Sequence, residues 1–285
     1  MTSAQKVIKY CAMAFAIFLV VSIIGGIAGA LGLLGGIFSG NNVLEETKTY
    51  EISTNITALD MEIEAADVSI VFGDKLKVES NLKHLTVKEE NGTLNIKEDS
   101  KSLFNDKSKG KLVLYIPDMP DGANKDNIFT FKSAEIKTGA GVLTIEGLYV
   151  ANLSMKLGAG KADIKNLHVD KSTDINGGAG QINIHSGMIN NLDLDMGVGE
   201  VNLTAAVLGN SEINSGVGAT NIILQGLKDS YTVHINKGIG NATVDGKSIS
   251  DNESYGSGTN RIEIDGGIGS IKVKFDSTIV INEQS

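Results

Sequence analysis

The chain has 285 residues, 41% of them hydrophobic, and a formal charge of −9. Its 34 glycines beside 2 prolines and no tryptophan exclude collagen and Pro-rich disorder. Its acidic balance, with Arg261 as the one arginine, excludes a phosphate-binding surface, so no nucleic-acid partner is expected.

Residues 1–9 carry Lys6 and Lys9, and no further charge appears until Glu45. The apolar run inside that gap, CAMAFAIFLVVSIIGGIAGALGLLGGIF from Cys11 to Phe38, exceeds the roughly 20 residues that a helix needs to cross a bilayer. The sequence therefore predicts a transmembrane anchor over 10–38. With lysines before it and Glu45 and Glu46 after it, residues 1–9 are expected in the cytoplasm, and a linker over 39–48 leads to an extracytoplasmic C-terminal domain. The expected location is the cell membrane, with a single pass. A cleaved signal peptide is the competing reading, because Ala28-Gly29-Ala30 follows an apolar core. Cys11, the single cysteine, lies in this segment, so one chain can build neither a disulfide framework nor a cysteine-based metal site. Gly25, Gly29, Gly32 and Gly36 make two small-xxx-small pairs that would let two such helices pack closely.

From residue 49 onward the alternation is that of strands. Leu59, Met61 and Ile63, then Val68 and Ile70, point one way along the chain, and Glu64 and Ala66 take the slots that glycines occupy later. Residues 49–133 thus read as degenerate N-terminal coils. Over 134–275 the pattern becomes regular. Pairs at Gly139 and Gly141, Gly158 and Gly160, Gly178 and Gly180, Gly197 and Gly199, and Gly216 and Gly218 begin 19, 20, 19 and 19 residues apart. Two more, Gly238 and Gly240 then Gly267 and Gly269, follow at wider spacing. The inward alternation changes phase across each pair, so these are structural corner glycines, placed where a bulge or bend needs positive φ or close approach.

A third inward position is expected at Val150, Val169, Ile189, Leu208 and Leu227, closing each coil. Stacked coils would line up Ile136, Met155, Ile175, Leu194, Ile213, Ile235 and Ile264 in one inner column. A second inner column would hold Ile145, Ile164, Ile184, Leu203, Ile222, Val244 and Val273. One coil cannot bury enough to fold alone, so the repeats must form an array. The predicted fold is all-β, a single-stranded β-solenoid over 49–275 resembling a parallel β-helix, with about 19–20 residues per coil. Residues 246–259 read as a surface loop or inserted hairpin, and 276–285 as a tail.

The anchor, the Leu-Val-Leu-Tyr-Ile-Pro stretch from Leu112 to Pro117 and the serial Gly-x-Gly strands resemble the bacterial putative adhesin family over about Thr49 to Phe275. The resemblance implies a membrane-anchored β-solenoid of the cell envelope, and some relatives are tied to envelope-stress systems. Its motifs are structural and assign no activity.

Thr144, Asp163, Asn183, Asn202, Asn221 and Thr243 share one repeat position and are expected to form an outward polar ladder. Asp163, Asn183, Asn202 and Asn221 are the candidate binding row for cell-wall glycan. The bland account is a run of side-chain hydrogen bonds that stiffens the sheet. No cofactor-binding, metal or catalytic residue is assigned. Gly177-Gly178-Ala179-Gly180-Gln181-Ile182 has isoleucine where the calcium nonapeptide needs aspartate, and Ile271 repeats the defect. His84, His168, His185 and His234 fall at different repeat positions, and no GxSxG elbow is present.

The expected function is a non-catalytic binding or structural module of the bacterial envelope, serving adhesion or stress sensing, with the membrane and cell-wall glycan or envelope proteins as partners. The alternative is a polysaccharide lyase or hydrolase on a parallel β-helix, using carboxylates from among Asp163, Asp174, Asp193 and Asp195.

Overall fold

The structure is a computed structural model and describes residues 46–53, 55–98, 110–117 and 129–278. The expected cytoplasmic end, the anchor over 10–38, Cys11, most of the linker and the last seven residues of the tail lie outside the described residues. Among those described, no helix is long and apolar enough to cross a membrane.

The described residues are all-β apart from one 3-10 turn at Lys228–Ser230. The strands are β1 (Lys48–Glu51), β2 (Ala58–Ala65), β3 (Asp67–Gly73), β4 (Lys77–Ser80), β5 (Leu85–Glu90), β6 (Thr93–Glu98), β7 (Lys111–Pro117), β8 (Phe131–Ile145) and β9 (Leu148–Ile164). They continue as β10 (Leu167–Ile184), β11 (Gly187–Asn190), β12 (Leu192–Leu208), β13 (Asn210–Gln225), β14 (Tyr231–Asn236), β15 (Ile239–Val244), β16 (Lys247–Ser248), β17 (Glu253–Gly256) and β18 (Asn260–Asp276).

In the middle of the stack each coil lies in parallel register on the one before. Leu148, Met155 and Ile164 of β9 pair with Leu167, Ile175 and Ile184 of β10. Asp193, Gly199 and Leu203 of β12 pair in turn with Glu212, Gly218 and Ile222 of β13. Both inner columns expected from the repeat are buried, from Ile136 and Met155 through Leu194 and Ile213, and from Ile145 and Ile164 through Leu203 and Ile222. Such burial contributes roughly 1.5–3 kcal/mol per side chain.

The bend within each long strand sits at the second glycine of its pair, with φ between +136° and +155° at Gly141, Gly160, Gly180, Gly199, Gly218, Gly240 and Gly269. At Gly218 a Cβ would stand 1.7 Å from the carbonyl oxygen of Gly199 in the coil below. No side chain fits there, which is why glycine recurs. The first full coil escapes the rule. Ala65 of β2 pairs with Ala140 of β8, so Glu64 and Ala66 do occupy the glycine slots. The obstruction comes from a neighbouring Gly-x-Gly corner, the preceding one for most coils and that of β18 for Gly238 and Gly240, and Glu64 and Ala66 have no such corner on the side of β6 and β7. Instead the Glu98 carboxylate accepts the backbone N–H groups of Glu64 and Ala65.

Two expectations need correction. The coils do not stack in strict chain order at the ends. β18 pairs in parallel with β13 on one side and with β14 and β15 on the other, so Ile264 lies between Ile213 and Ile235. At the other end β2 and β3 lie between β8 and the outer pair β6 and β7. Beyond these the edges turn antiparallel: β5 on β6, β4 on β7 with β1 on β4, and β16 and β17 on β15 and β14. Short or charged antiparallel edges are poor templates for further strands. The segment after Val244 is thus a hairpin, turned at Asp245 and Gly246, both with positive φ.

The third inner position also differs. Val150, Val169 and Ile189 are buried as expected, but Ile189 pairs with Val207, which takes the next place instead of Leu208. β12 runs through this corner without a break and gains one residue of register, so Leu208 is half-buried. Leu227, just before the 3-10 turn, is 56% exposed.

Candidate functional site

Three outward surfaces run along the stack, and they differ in whether their polar groups are used up internally. The expected ladder is the most satisfied. Asn221 donates its amide N–H to Oδ1 of Asn202, which donates in turn to Oδ1 of Asn183, each at 2.9 Å. Asn183 is 7% exposed, while Asp163, Asn202 and Asn221 are half-buried. Asp163 continues the row and is held by Lys161 at 2.8 Å and His185 at 3.0 Å. The Lys161 hydrogen bond is the main reason its carboxyl lies below the usual range. Thr144 pairs with Asp163 at the near end. Beyond Asn221 the next place belongs to Lys272, with Thr243 after it, because β18 is interleaved.

A second set, missed in the sequence, ties the corners together. Asn166 and Asn191 adopt φ of +48° and +47°, and their amides donate to the carbonyls of Glu146 and Lys171, at 3.1 and 2.7 Å. Each bond spans 20 residues, one coil. Asparagine tolerates this left-handed backbone better than other residues with side chains; the two stand at different corners of the coil, so the repeat spacing carries no signal for them.

The third surface is the outward face of the strand segment that precedes each glycine pair. Register places Asp174, Asp193, Glu212 and Glu263 in one column, and Asn176, Asp195, Asn214 and Asp265 in the next. Three of the four carboxylates proposed for an enzyme, Asp174, Asp193 and Asp195, meet here, while Asp163 belongs to the ladder. Glu263 and Asp265 were missed, since only the register set by the interleaved β18 brings them alongside; Glu212 was missed although it follows Asp193 by one regular repeat. From Asp174 onward neither column contains lysine or arginine; Arg261 stands one column further out, opposite Asn210. The asparagines spread the charge: Asn214 donates to Asp195 at 3.0 Å and to Glu212 at 2.8 Å, and Asn236 to Asp265 at 2.6 Å. Partial burial, then the neighbouring Asp195, Glu212 and Asp174, push the Asp193 carboxyl above its usual range.

Beside these columns two separate shallow grooves lie over the first glycines of the pairs. The upstream groove, about 690 Å³, is lined by Glu62, Lys137, Lys156, Asn176, Gly158 and Gly178 among others. The downstream groove, about 470 Å³, is lined by Asp195, Asn214, Asp265, Gly197, Gly216 and Gly267 with Met196 and Ser215. Between the two glycines of each pair an aliphatic row runs in register from Ala140, Ala159 and Ala179 to Val198, Val217, Ile268 and Ile239. Ile239, at the far end, is 48% exposed.

Among the described residues no group of three or more His, Cys, Asp or Glu could hold a metal ion. His168 stacks on Tyr149 at 4.7 Å, His234 meets Ser254 at 2.8 Å and His185 meets Asp163, so each of these three histidines has a different environment. His84 lies on an exposed turn.

Residues 181–245 match the family model described as the N-terminal domain of toast_rack, DUF2154. The chain is similar to solved bacterial proteins. One is a putative adhesin from Bacteroides fragilis, 18% identical, covering 80% of this chain and 96% of its own, with a TM-score of 0.43. Another is a putative cell adhesion protein from Clostridium sporogenes, at 16%, 81%, 99% and 0.34. A third is a putative lipid binding protein from Parabacteroides distasonis, at 17%, 81%, 97% and 0.34. Among curated proteins none matches the chain. The resemblance to bacterial putative adhesins read from the sequence agrees with the names of the first two.

Proposed function

We propose that the chain is a non-catalytic, membrane-anchored module of the bacterial cell envelope, a β-solenoid held outside the membrane by the segment over 10–38, that binds envelope or surface material. The observation that carries this reading is the open, shallow form of the two grooves along the stack, with no deep cleft among the described residues. A hydrolase would need a carboxylate pair at a defined separation across a bond held in a closed site. Here the carboxylates are strung out along an open face. Adhesion fits a long, shallow face better than turnover does.

The test is retention without turnover. The full chain, reconstituted in liposomes, is incubated with envelope fractions and with polysaccharides released from them. Sedimentation of envelope material with the liposomes, and no new reducing or unsaturated sugar ends, is the expected result. New ends would make the protein an enzyme. Absence of retention would remove the binding reading.

A further inference from the structure

We propose that the C-terminal strand β18 is a releasable latch: the strands flanking it are matched to each other, so the stack can close behind it when it leaves. Register is the first ground. Each β18 residue that pairs with β13 on one side pairs with the equivalent residue of β14 or β15 on the other. Arg261 lies between Asn210 and Thr232, Ile264 between Ile213 and Ile235, Gly269 between Gly218 and Gly240, and Val273 between Ile222 and Val244. Without β18 the two walls face each other in register, with inward apolar residues over inward apolar residues.

The corners fit in the same way. A Cβ on Gly269 would stand 1.7 Å from the Gly218 carbonyl oxygen, and one on Gly240 would stand 1.7 Å from that of Gly269. Gly240 and Gly269 share φ +155°, against +145° at Gly218. The β15 corner therefore seats on Gly218 as it seats on Gly269.

The connecting chain allows both arrangements. Ala205 and Leu224 are register partners. Asn210 follows Ala205 by five residues and Thr232 follows Leu224 by eight, yet both pair with Arg261. The added length, in residues 226–230, lets the chain climb past one extra strand, about 4.8 Å, and becomes slack when the walls close. β18 enters its slot through residues 257–259, which cross this connection at Gly258, where a Cβ would lie 1.9 Å from the carbonyl carbon of Ser230.

Burial and charge set the balance. Ile262, Ile264, Ile271 and Val273 of β18 are buried, so the inserted form predominates at rest. Against it, Glu263 stands directly over Glu212, and like charges so placed are destabilising; with the walls closed Glu212 meets His234 instead. Low salt, which extends the reach of that repulsion, shifts the balance towards release. Once out, the strand offers its ladder hydrogen bonds and four apolar side chains to another sheet edge.

The test uses the full chain in liposomes, with Cys11→Ser and pairs of cysteines at one outward column, Ala219, Ser270 and Asn241. Dibromobimane, which fluoresces only when it bridges two neighbouring thiols, reads which strands are adjacent. In the otherwise native chain Ala219→Cys is expected to bridge to Ser270→Cys. Bridging to Asn241→Cys, two strand spacings or about 9.6 Å away, should be at least tenfold weaker. Gly269→Val obstructs β18 in its slot and Gly258→Val obstructs the crossing. Each should raise bridging of Ala219→Cys to Asn241→Cys at least tenfold within one chain, with cooperative unfolding kept by calorimetry, and a rise in either supports the latch. No rise in either variant, bridging only between copies, or loss of cooperative unfolding in both would overturn it.

Discussion

The ladder face and the acidic face are built on the same coils, a few residues apart along each strand, yet they treat their polar groups in opposite ways. On the ladder, Asn183, Asn202 and Asn221 pass one amide hydrogen bond from coil to coil, with Asn183 buried and the other two half-buried. On the acidic face, Asp174, Asp193, Glu212 and Glu263 stand over one another with like charge, and no lysine or arginine lies in their column. A repeat that needs only stability can close its polar groups on themselves. Where it leaves like charges stacked, something outside the chain is the natural place for their partners.

The largest test breaks both faces together. Gly218→Val puts a side chain where the Gly199 carbonyl already lies and forces a β-branched residue to φ +145°. The strain alone is about 3 kcal/mol or more, so loss of cooperative thermal unfolding is expected by calorimetry. Next, Leu194→Ala removes support beneath the acidic face and Leu203→Ala beneath the ladder. Both are fully packed, and each should cost about 3 kcal/mol by denaturant unfolding. Equal costs would place the difference between the faces entirely on their outer sides; a gap above about 1 kcal/mol would contradict that.

Asn202→Ala sharpens the contrast. It removes an acceptor from Asn221 and a donor from Asn183, which is buried, and should cost about 1–2 kcal/mol, with ligand retention unchanged. A loss of retention at constant stability would return the binding role to the ladder.

The smallest effect has the opposite sign. The Asp193 carboxyl sits above its unfolded-state value, so its ionised form costs stability at neutral pH, and the cost disappears as pH falls through the folded and then the unfolded value. Because Asp193 is exposed and solvent screens its neighbours, Asp193→Asn should raise Tm only slightly at neutral pH and give no gain once the pH is below the carboxylate range, as read by calorimetry. Asp163 runs the other way. Its carboxyl is lowered by Lys161 and His185, so its contribution is present above the unfolded value and lost as pH falls through the folded one.

The middle of the fold was legible because its determinants are local. The phase change across each glycine pair and the 19–20 residue spacing follow from alternation, and register then aligns Ile136 with Met155 and Ile145 with Ile164. Even the substitutes Glu64 and Ala66 could be placed. The ends were not legible in this way, because nothing in Asn260–Asp276 states that it pairs with β13 ahead of β14; that choice depends on which neighbour covers which edge. The candidate site suffers from the same blindness. Asp174, Asp193 and Asp195 were picked out as carboxylates, but their company with Glu263 and Asp265 exists only once β18 is interleaved. Burial of Asn183 likewise depends on neighbouring coils rather than on its own sequence pattern.

The interleaving at both ends bears on how the protein would carry load. A coil lying at the very end of a stack can be peeled away by breaking one ladder of hydrogen bonds, bond after bond. Ala58–Gly73 and Asn260–Asp276 are each clasped on two sides. Tension entering from Lys48 strips the four-residue β1 first and then meets a strand that must part from two neighbours at once. A chain pulled from that end would thus reach its mechanical stop within the first coil, with the interior coils behind it still closed.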